Sequence, residues 1–189
     1  MIYNKLKFIF FVAYLLSIEV YGQWEIDPLI NFKNESPKTG VGIYAGRNLP
    51  FQWPLLGFKV RGGIDYFYEK SDGNAVEKYS SIDFNISIIS TFFYRTVQPY
   101  LGFGLGIERL SIYFHPSATN KNQISKYIFL FSGTAGAKLQ ITNNIYSFVE
   151  LQVLKYFYNF NNILPDENIS ALQLKGVFGI CIEINLLKP

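Results

Sequence analysis

One short segment of the sequence combines residue types that could transfer an acyl group. His115, Pro116 and Ser117 stand together. A histidine can take the proton of a serine hydroxyl while a carboxylate orients the imidazole. The next glutamate along the chain is Glu150, and the proline between the pair indicates a turn. No glutamate follows the His115–Ser117 segment at the spacing of such a catalytic motif, so nucleophilic catalysis is only a hypothesis here. A histidine solvated in a loop is the simpler interpretation.

Other reactive side chains are few. The chain of 189 residues has one cysteine and one histidine. These counts exclude a disulfide framework within the chain and zinc sites built from several such ligands. Cys181 is predicted to pack as a small hydrophobic residue, because a reactive thiol needs exposure and a cationic neighbour. We expect no cofactor and no metal.

Composition narrows the class of protein further. Charged residues make up 16% of the chain, compared with about 25% in an average protein. Hydrophobic residues reach 49% and aromatic residues 18%, which excludes intrinsic disorder. A net charge of +3 is too small and too scattered to indicate nucleic-acid binding. The length fits a single domain.

The beginning of the chain has the three-part pattern of a secretory signal peptide. Two lysines precede an uncharged run at residues 8–17, and the small residues Val20 and Gly22 follow at the spacing of a cleavage site. A membrane anchor helix is the alternative. It needs about 20 apolar residues, and a glutamate interrupts this run too early. We predict a signal peptide over residues 1–22 and one domain over residues 23–189.

The rest of the chain alternates with period two, which is the periodicity of β-strands. In residues 57–69, aromatic and aliphatic side chains such as Ile64 occupy one parity, whereas charged or small ones such as Arg61 occupy the other. Pro28 makes the first predicted strand the weakest. The eight predicted strands are residues 24–32, 40–48, 57–69, 81–88, 101–112, 127–140, 149–153 and 172–185.

The two faces differ in a way that distinguishes a membrane barrel from a soluble one. Glycines concentrate on the polar parity, and small residues suit the crowded interior of a narrow barrel. Bulky aliphatic residues occupy the other parity, which suits a lipid-facing exterior. Six of the eight predicted strands reach the ~9–11 residues that a tilted strand needs to cross a bilayer. Arg109 falls on the apolar parity, which predicts a β-bulge that restores the phase at Leu110 and Ile112.

The connections between predicted strands alternate in length. Those at residues 48–54, 96–98 and 141–144 lie at one end, and the more polar ones at residues 70–78, 115–125 and 161–168 lie at the other. In outer-membrane barrels the longer loops face outwards, which would leave both termini in the periplasm. Aromatic residues near the strand ends predict two interface belts. These residues are Tyr66, Tyr68, Tyr79, Tyr113, Phe114, Tyr127, Tyr156 and Tyr158 at one end, and Phe51, Trp53, Phe92, Tyr94, Tyr100 and Tyr146 at the other.

Two segments resemble a known group. Residues 40–51 (GVGIYAGRNLPF) and 99–108 (PYLGFGLGIE) are similar to parts of the small eight-stranded outer-membrane barrels, the OmpA/OmpX-like group with an outer membrane protein beta-barrel domain. The resemblance covers residues 24–186. The expected fold is all-β, an eight-stranded antiparallel up-and-down transmembrane β-barrel in the outer membrane of a Gram-negative bacterium. Such barrels commonly end on an aromatic residue, whereas residues 184–189 contain none.

The resemblance implies a non-enzymatic protein whose loops carry a structural, adhesive or partner-binding role. The expected partners are outer-membrane lipid and lipopolysaccharide, the barrel assembly machinery, and an extracellular partner held by the loops. Two alternatives stay open. One is a lipid-modifying barrel enzyme, because some outer-membrane barrels are lipid A deacylases with a His-x-Ser pair and a glutamate. The other is a secreted lipocalin-like carrier of a small ligand.

Charged side chains on the inward parity are the candidate site. An eight-stranded barrel has room inside only for side chains or one small ligand, and charges held there are costly unless they are paired. We therefore predict a polar, largely plugged interior in which Arg61 or Lys59 pairs with Glu150 or Glu183. The predicted network consists of Lys59, Arg61, Asp65, Glu69, Asp83, Glu108, Lys138, Glu150, Lys175 and Glu183.

Overall fold

The chain forms eight consecutive β-strands. The computed structural model describes residues 23–34, 38–53, 55–70, 76–93, 96–114, 123–157 and 171–185. Alternating side chains along each segment provide the two faces of a strand. The strands are β1 (Gln23–Lys33), β2 (Thr39–Trp53), β3 (Leu56–Lys70), β4 (Val76–Phe92), β5 (Val97–Phe114), β6 (Gln123–Thr142), β7 (Ile145–Tyr156) and β8 (Leu172–Asn185).

Each strand pairs with its neighbours in sequence, and β1 pairs with β8 to close the barrel. Every pairing is antiparallel, so the predicted fold class is confirmed. Connections at one end span only residues 54–55, 93–96 and 143–144, whereas those at the other end span residues 34–38, 71–75, 115–122 and 157–171. We call these the turn end and the loop end. Both ends of the described barrel wall, at Gln23 and Asn185, lie at the turn end.

The two faces of the wall have the predicted orientation. Phe103 points outwards with 63% of its surface exposed, and Gly104 beside it is buried. Exposed apolar side chains occur along the outward face of all eight strands. Exposure on this scale fits a wall whose solvent is lipid, because a water-soluble domain buries such residues.

Small residues on the inward face make room for large ones. A Cβ atom on Gly63 would lie 1.9 Å from a ring carbon of Tyr44, so the buried tyrosine crosses the space directly above that glycine. A Cβ atom on Gly133, which lies on the outward face, would meet no other atom within 4 Å. The glycines of the polar parity therefore accommodate side chains that fill the interior.

Two local predictions are wrong. Residues 48–54 are not a long turn, because β2 continues to Trp53 and the irregularity is a register shift between Asn48 and Gln52. There is also no bulge at Arg109, since β5 pairs with β4 and β6 without a break through this position. Arg109 simply faces outwards near the loop end, and the inward positions that follow it are apolar.

Fewer of the predicted aromatic residues face outwards than two complete belts would require. Tyr66, Tyr68 and Tyr127 face outwards and are exposed, as a belt requires. Four others face inwards and are buried: Tyr79, Tyr100, Tyr146 and Tyr156. A buried tyrosine fills space and can also bond to charged groups inside, as the Tyr100 hydroxyl does with Glu150 and the Tyr156 hydroxyl with Glu108.

Strand β1 tolerates its proline. Pairing with β8 is interrupted between Ile26 and Leu29 and resumes in the same register, because proline has no backbone N–H to donate. On the other side Pro28 pairs with Ile43. The strand is thus regular enough to place four polar side chains inside the barrel.

Some predictions concern residues outside the described ranges. These are the signal peptide over residues 1–22, the segment His115–Ser117, the loop at residues 161–168, and the belt residues Tyr94 and Tyr158. Within the described ranges, no helix is long and apolar enough to cross a membrane.

Candidate functional site

The barrel interior contains a nearly balanced set of buried charges. Among the described residues, six carboxylates and five cations are buried and point inwards. Every member of this set except Asp27 forms an ion pair among the described residues, and pairing is the condition for holding charges in a narrow lumen. The buried set is Glu25, Asp27, Asp65, Asp83, Glu108 and Glu150 together with Lys33, Lys59, Arg61, Lys138 and Lys175.

Arg61 and Glu150 form a two-pronged pair across the lumen. The guanidinium donates to both carboxylate oxygens at 2.7 and 2.9 Å. The Tyr100 hydroxyl donates to Glu150 at 2.9 Å, and the Gln152 amide also donates to it. Both partners are buried. The structure thus brings together one of the residue pairs that sequence parity predicts, in the geometry that an arginine fork favours.

Two lysines share Glu25 nearer the turn end. The Glu25 carboxylate lies 2.5 Å from the Lys59 Nζ and 2.7 Å from the Lys138 Nζ. Lys59 therefore pairs with a residue that the predicted network omits. Glu183, the other predicted partner, is only half-buried and accepts a hydrogen bond from Gln23.

The middle of the lumen is held together by Lys175, Asp65 and Tyr44. The Lys175 Nζ lies 2.5 Å from Asp65 and donates to the Tyr44 hydroxyl at 2.9 Å. That hydroxyl donates to Asp65 at 3.0 Å, and the Asn31 amide donates to the same carboxylate at 2.7 Å. Residues from β1, β2, β3 and β8 are therefore joined across the interior.

Toward the loop end, Lys33 lies between two carboxylates. Its Nζ is 2.9 Å from Asp83 and 2.9 Å from Glu108, and the Tyr156 hydroxyl donates to Glu108 at 2.6 Å. The ammonium also lies 4.1 Å from the centre of the Phe67 ring. A lysine from β1 therefore supplies the positive charge that both carboxylates share in this half of the lumen. Glu69, by contrast, makes an exposed pair with Lys38 at 3.7 Å.

An apolar cluster packs inside the barrel on the loop side of these charges. Leu110 and Ile112 follow Glu108 along β5, and Tyr79 stands on the same side of Asp83 in β4. All members of the cluster are at most 3% exposed. The cluster therefore places apolar side chains of β4, β5, β6 and β7 between these charges and the loop end. We call this the apolar cap: Tyr79, Leu110, Ile112, Ile128, Leu130, Leu154 and Tyr156.

One group of described residues has ligand atoms close enough for a metal ion. These atoms of Glu25, Asp27 and Cys181 lie within 4.8 Å of one another. Lys138 donates to the Cys181 sulfur at 3.1 Å and also pairs with Glu25, so ammonium groups already supply positive charge there. Cys181 has the cationic neighbour of a reactive thiol, but it is fully buried, which does not fit a reactive role.

The predicted network contains none of the four polar side chains that β1 contributes to the interior. Glu25, Asp27, Asn31 and Lys33 all face inwards and are buried. Their spacing of two residues was a readable signal, because they share one parity around Pro28. The apolar cap is not predicted either. Its members are apolar or aromatic residues at inward positions near the loop end, where alternation leads one to expect polar side chains.

Known proteins resemble this chain in fold but not in sequence. No protein-family model and no curated protein matches it. A major outer membrane protein from Thermus thermophilus matches with a TM-score of 0.63 and 12% identity, over 86% of this chain and 99% of that one. Ail, the attachment invasion locus protein of Yersinia pestis, matches with a TM-score of 0.55 and 11% identity, over 86% and 97%.

A third match is Neisserial surface protein A, with a TM-score of 0.53 and 13% identity, over 87% of this chain and 97% of that one. Identities this low show a shared architecture only. Together with the closed antiparallel wall, the apolar exterior and the polar interior, they establish that this chain has the fold of the small eight-stranded outer-membrane β-barrels.

Proposed function

We propose that the protein is a non-enzymatic barrel of the Gram-negative outer membrane with a closed interior and functional loops. The observation that carries this proposal is the lumen filled by the Arg61–Glu150, Lys175–Asp65 and Lys33–Glu108 pairs, with the apolar cap packed on their loop side. These groups are engaged with one another, so the lumen supports neither free diffusion nor binding of a carried ligand.

The exterior supports the membrane location. Side chains such as Ile86 and Leu105 are 66% and 58% exposed, which disfavours a secreted water-soluble carrier. By the usual arrangement of such barrels, the long connections face the outside and the turn end faces the periplasm. This orientation places both ends of the mature chain in the periplasm, as expected after signal-peptide removal.

Loops then carry the activity, as a structural, adhesive or partner-binding surface. One fold hosts many functions, so the loops and not the wall decide among them. Ail, which shares the fold, is named for attachment and invasion and has been solved with the heparin analogue sucrose octasulfate. Attachment through loops is one form that the proposed role takes for this chain.

Expression in a Gram-negative host tests the proposal. The protein is expected in the outer-membrane fraction with Gln23 as its first residue by mass spectrometry. Unheated samples should migrate differently from heated ones in gel electrophoresis. The lipid A mass spectrum should be unchanged, both for the natural chain and for His115→Ala and Ser117→Ala. Loss of an acyl chain from lipid A that depends on either residue would overturn the non-enzymatic role.

A further inference from the structure

The first and last strands of the barrel bring three metal-ligand side chains together near the turn end. In the register of β1 and β8, Glu25 lies directly opposite Glu183, and the same register places Asp27 opposite Cys181. Backbone pairing between the two strands is interrupted at Asp27 and Pro28. Ligand atoms of Glu25, Asp27 and Cys181 lie within 4.8 Å of one another. We call these three residues the seam triad.

Asp27 lacks a positive partner. Among the described residues, it is the one buried carboxylate of the lumen that forms no ion pair. Its side chain is 1% exposed, and its Oδ1 atom has no hydrogen-bond partner. The nearby ammonium groups of Lys59 and Lys138 contact Glu25 instead, at 2.5 and 2.7 Å. A buried carboxylate without a cation is costly, so this position calls for one more positive charge.

The donor atoms of the seam triad select the kind of ion. Two carboxylates and one sulfur suit a borderline-soft divalent ion such as Zn²⁺, whereas Mg²⁺ and Ca²⁺ take oxygen ligands. Three protein ligands leave a fourth position that water can fill. A cysteine binds such an ion as the thiolate. The Cys181 thiol proton is therefore released to water when the zinc–sulfur bond forms.

Polar side chains lead from the turn end to the seam triad. Glu183 lies two residues beyond Cys181 on the same face of β8 and is half-buried. Gln23 lies two residues before Glu25 on β1 and donates a hydrogen bond to Glu183. An ion that arrives from this end therefore meets polar groups first, and the Glu183 carboxylate can receive it.

We propose that the seam triad binds one Zn²⁺ ion, which links the first strand to the last where their backbone pairing is interrupted. The ion supplies the positive charge that Asp27 lacks. It also takes over contacts of Lys138, whose ammonium lies 3.1 Å from the Cys181 sulfur and 2.7 Å from Glu25. The site is structural, because an ion held only by the closed barrel stabilises the folded state. This inference goes beyond the proposed role of the loops and depends only on the fold.

Metal titration of the refolded, untagged mature chain in a non-ionic detergent tests the binding. Co²⁺ is the probe, because its bond to a thiolate gives an absorption band in the near ultraviolet, and Zn²⁺ should then displace it. Cys181→Ser should abolish the band. Asp27→Asn should raise the Kd by about 100-fold or more, since loss of a residue that only supports a metal ligand already costs about 10–100-fold. His115→Ala is the control, because it removes the one histidine of the chain and should leave the titration unchanged.

Competition between Zn²⁺ and Lys138 provides a second test. Lys138→Met leaves Glu25 with one ammonium partner and should lower the melting temperature in the absence of metal. Added Zn²⁺ should restore the melting temperature. The Kd for Zn²⁺ should fall by about tenfold or more, because the variant loses a positive charge close to the ion. Lys155→Met removes an exposed, outward-facing lysine and should show neither change.

Three results would each overturn the inference. Co²⁺ could give no thiolate band, Asp27→Asn could bind Zn²⁺ as the natural chain does, or Zn²⁺ could raise the melting temperature of Cys181→Ser as much as that of the natural chain. A proton on Asp27, and not a metal ion, would then remove the unpaired charge. Heat-dependent gel mobility confirms that each variant is folded before it is titrated. Failure of the proposed function would appear separately, as absence of the natural chain from the outer-membrane fraction.

Discussion

The pair Arg61–Glu150 allows the plugged interior to be tested quantitatively. Glu150 accepts two hydrogen bonds from Arg61 and others from Tyr100 and Gln152. Glu150→Leu leaves a buried guanidinium without a carboxylate, which should cost about 3–5 kcal/mol of unfolding free energy. Arg61→Met should lower the unfolding free energy by an amount near the lower end of that range, because Tyr100 and Gln152 still donate hydrogen bonds to the Glu150 carboxylate.

The double variant Arg61→Met/Glu150→Leu should be more stable than the sum of the singles implies. It removes both charges and leaves only the two neutral donors Tyr100 and Gln152 without the Glu150 acceptor, at about 1–3 kcal/mol each. Additive effects would instead give about 6–10 kcal/mol. Equilibrium urea unfolding in lipid vesicles, followed by tryptophan fluorescence, measures all four proteins.

A matched control uses the exposed pair of Lys38 and Glu69, whose side chains are 60% and 24% exposed. The same double-mutant cycle there should give a coupling of about 0–1 kcal/mol. Additive losses at Arg61 and Glu150, or equal coupling at both pairs, would refute the reasoning that the lumen holds desolvated charges.

Three further substitutions probe the wall, the packing and the charge balance. Phe103→Arg should cost about 2–4 kcal/mol in folding assays, as arginine does at the bilayer midplane, whereas Phe103→Leu should be tolerated; equal stability would invert the assigned faces. Gly63→Ala should lose about 1–3 kcal/mol because its Cβ meets the Tyr44 ring, whereas Gly133→Ala should melt like the natural chain. Lys33→Met should destabilise by about 3–5 kcal/mol at neutral pH and by less in acid, because protonation relieves repulsion between the two carboxylates it leaves unpaired; a loss independent of pH would contradict that account.

The faces of the strands could be predicted from sequence because parity is a local property. Period-two alternation alone places Arg61, Glu150 and Lys175 on the inward parity, and all three are buried. Which residues meet across the lumen depends on strand tilt and register around the whole barrel. The contact of Lys33 with Asp83 and Glu108, which joins β1 to β4 and β5, lies beyond what alternation can show.

The errors have physical causes too. Arg109 appeared out of phase because the interior was expected to be polar along its whole height, whereas it becomes apolar at Leu110. Tyr100 and Tyr146 lie near strand ends, which is why the sequence predicts that they belong to a belt. A belt residue must also face outwards, and both of these rings face the lumen. Asn48 was assigned to a turn because proline-rich residues followed it, although β2 continues through a register shift.

The most direct test of the closed interior is electrical. Purified folded protein is inserted into planar lipid bilayers, and single-channel current is recorded under an applied voltage. The filled lumen and the apolar cap predict insertion without stable conductance steps. A large, long-lived conductance that recurs with every insertion would contradict the account, because ions would then have a continuous path past Arg61, Glu150 and the apolar cap.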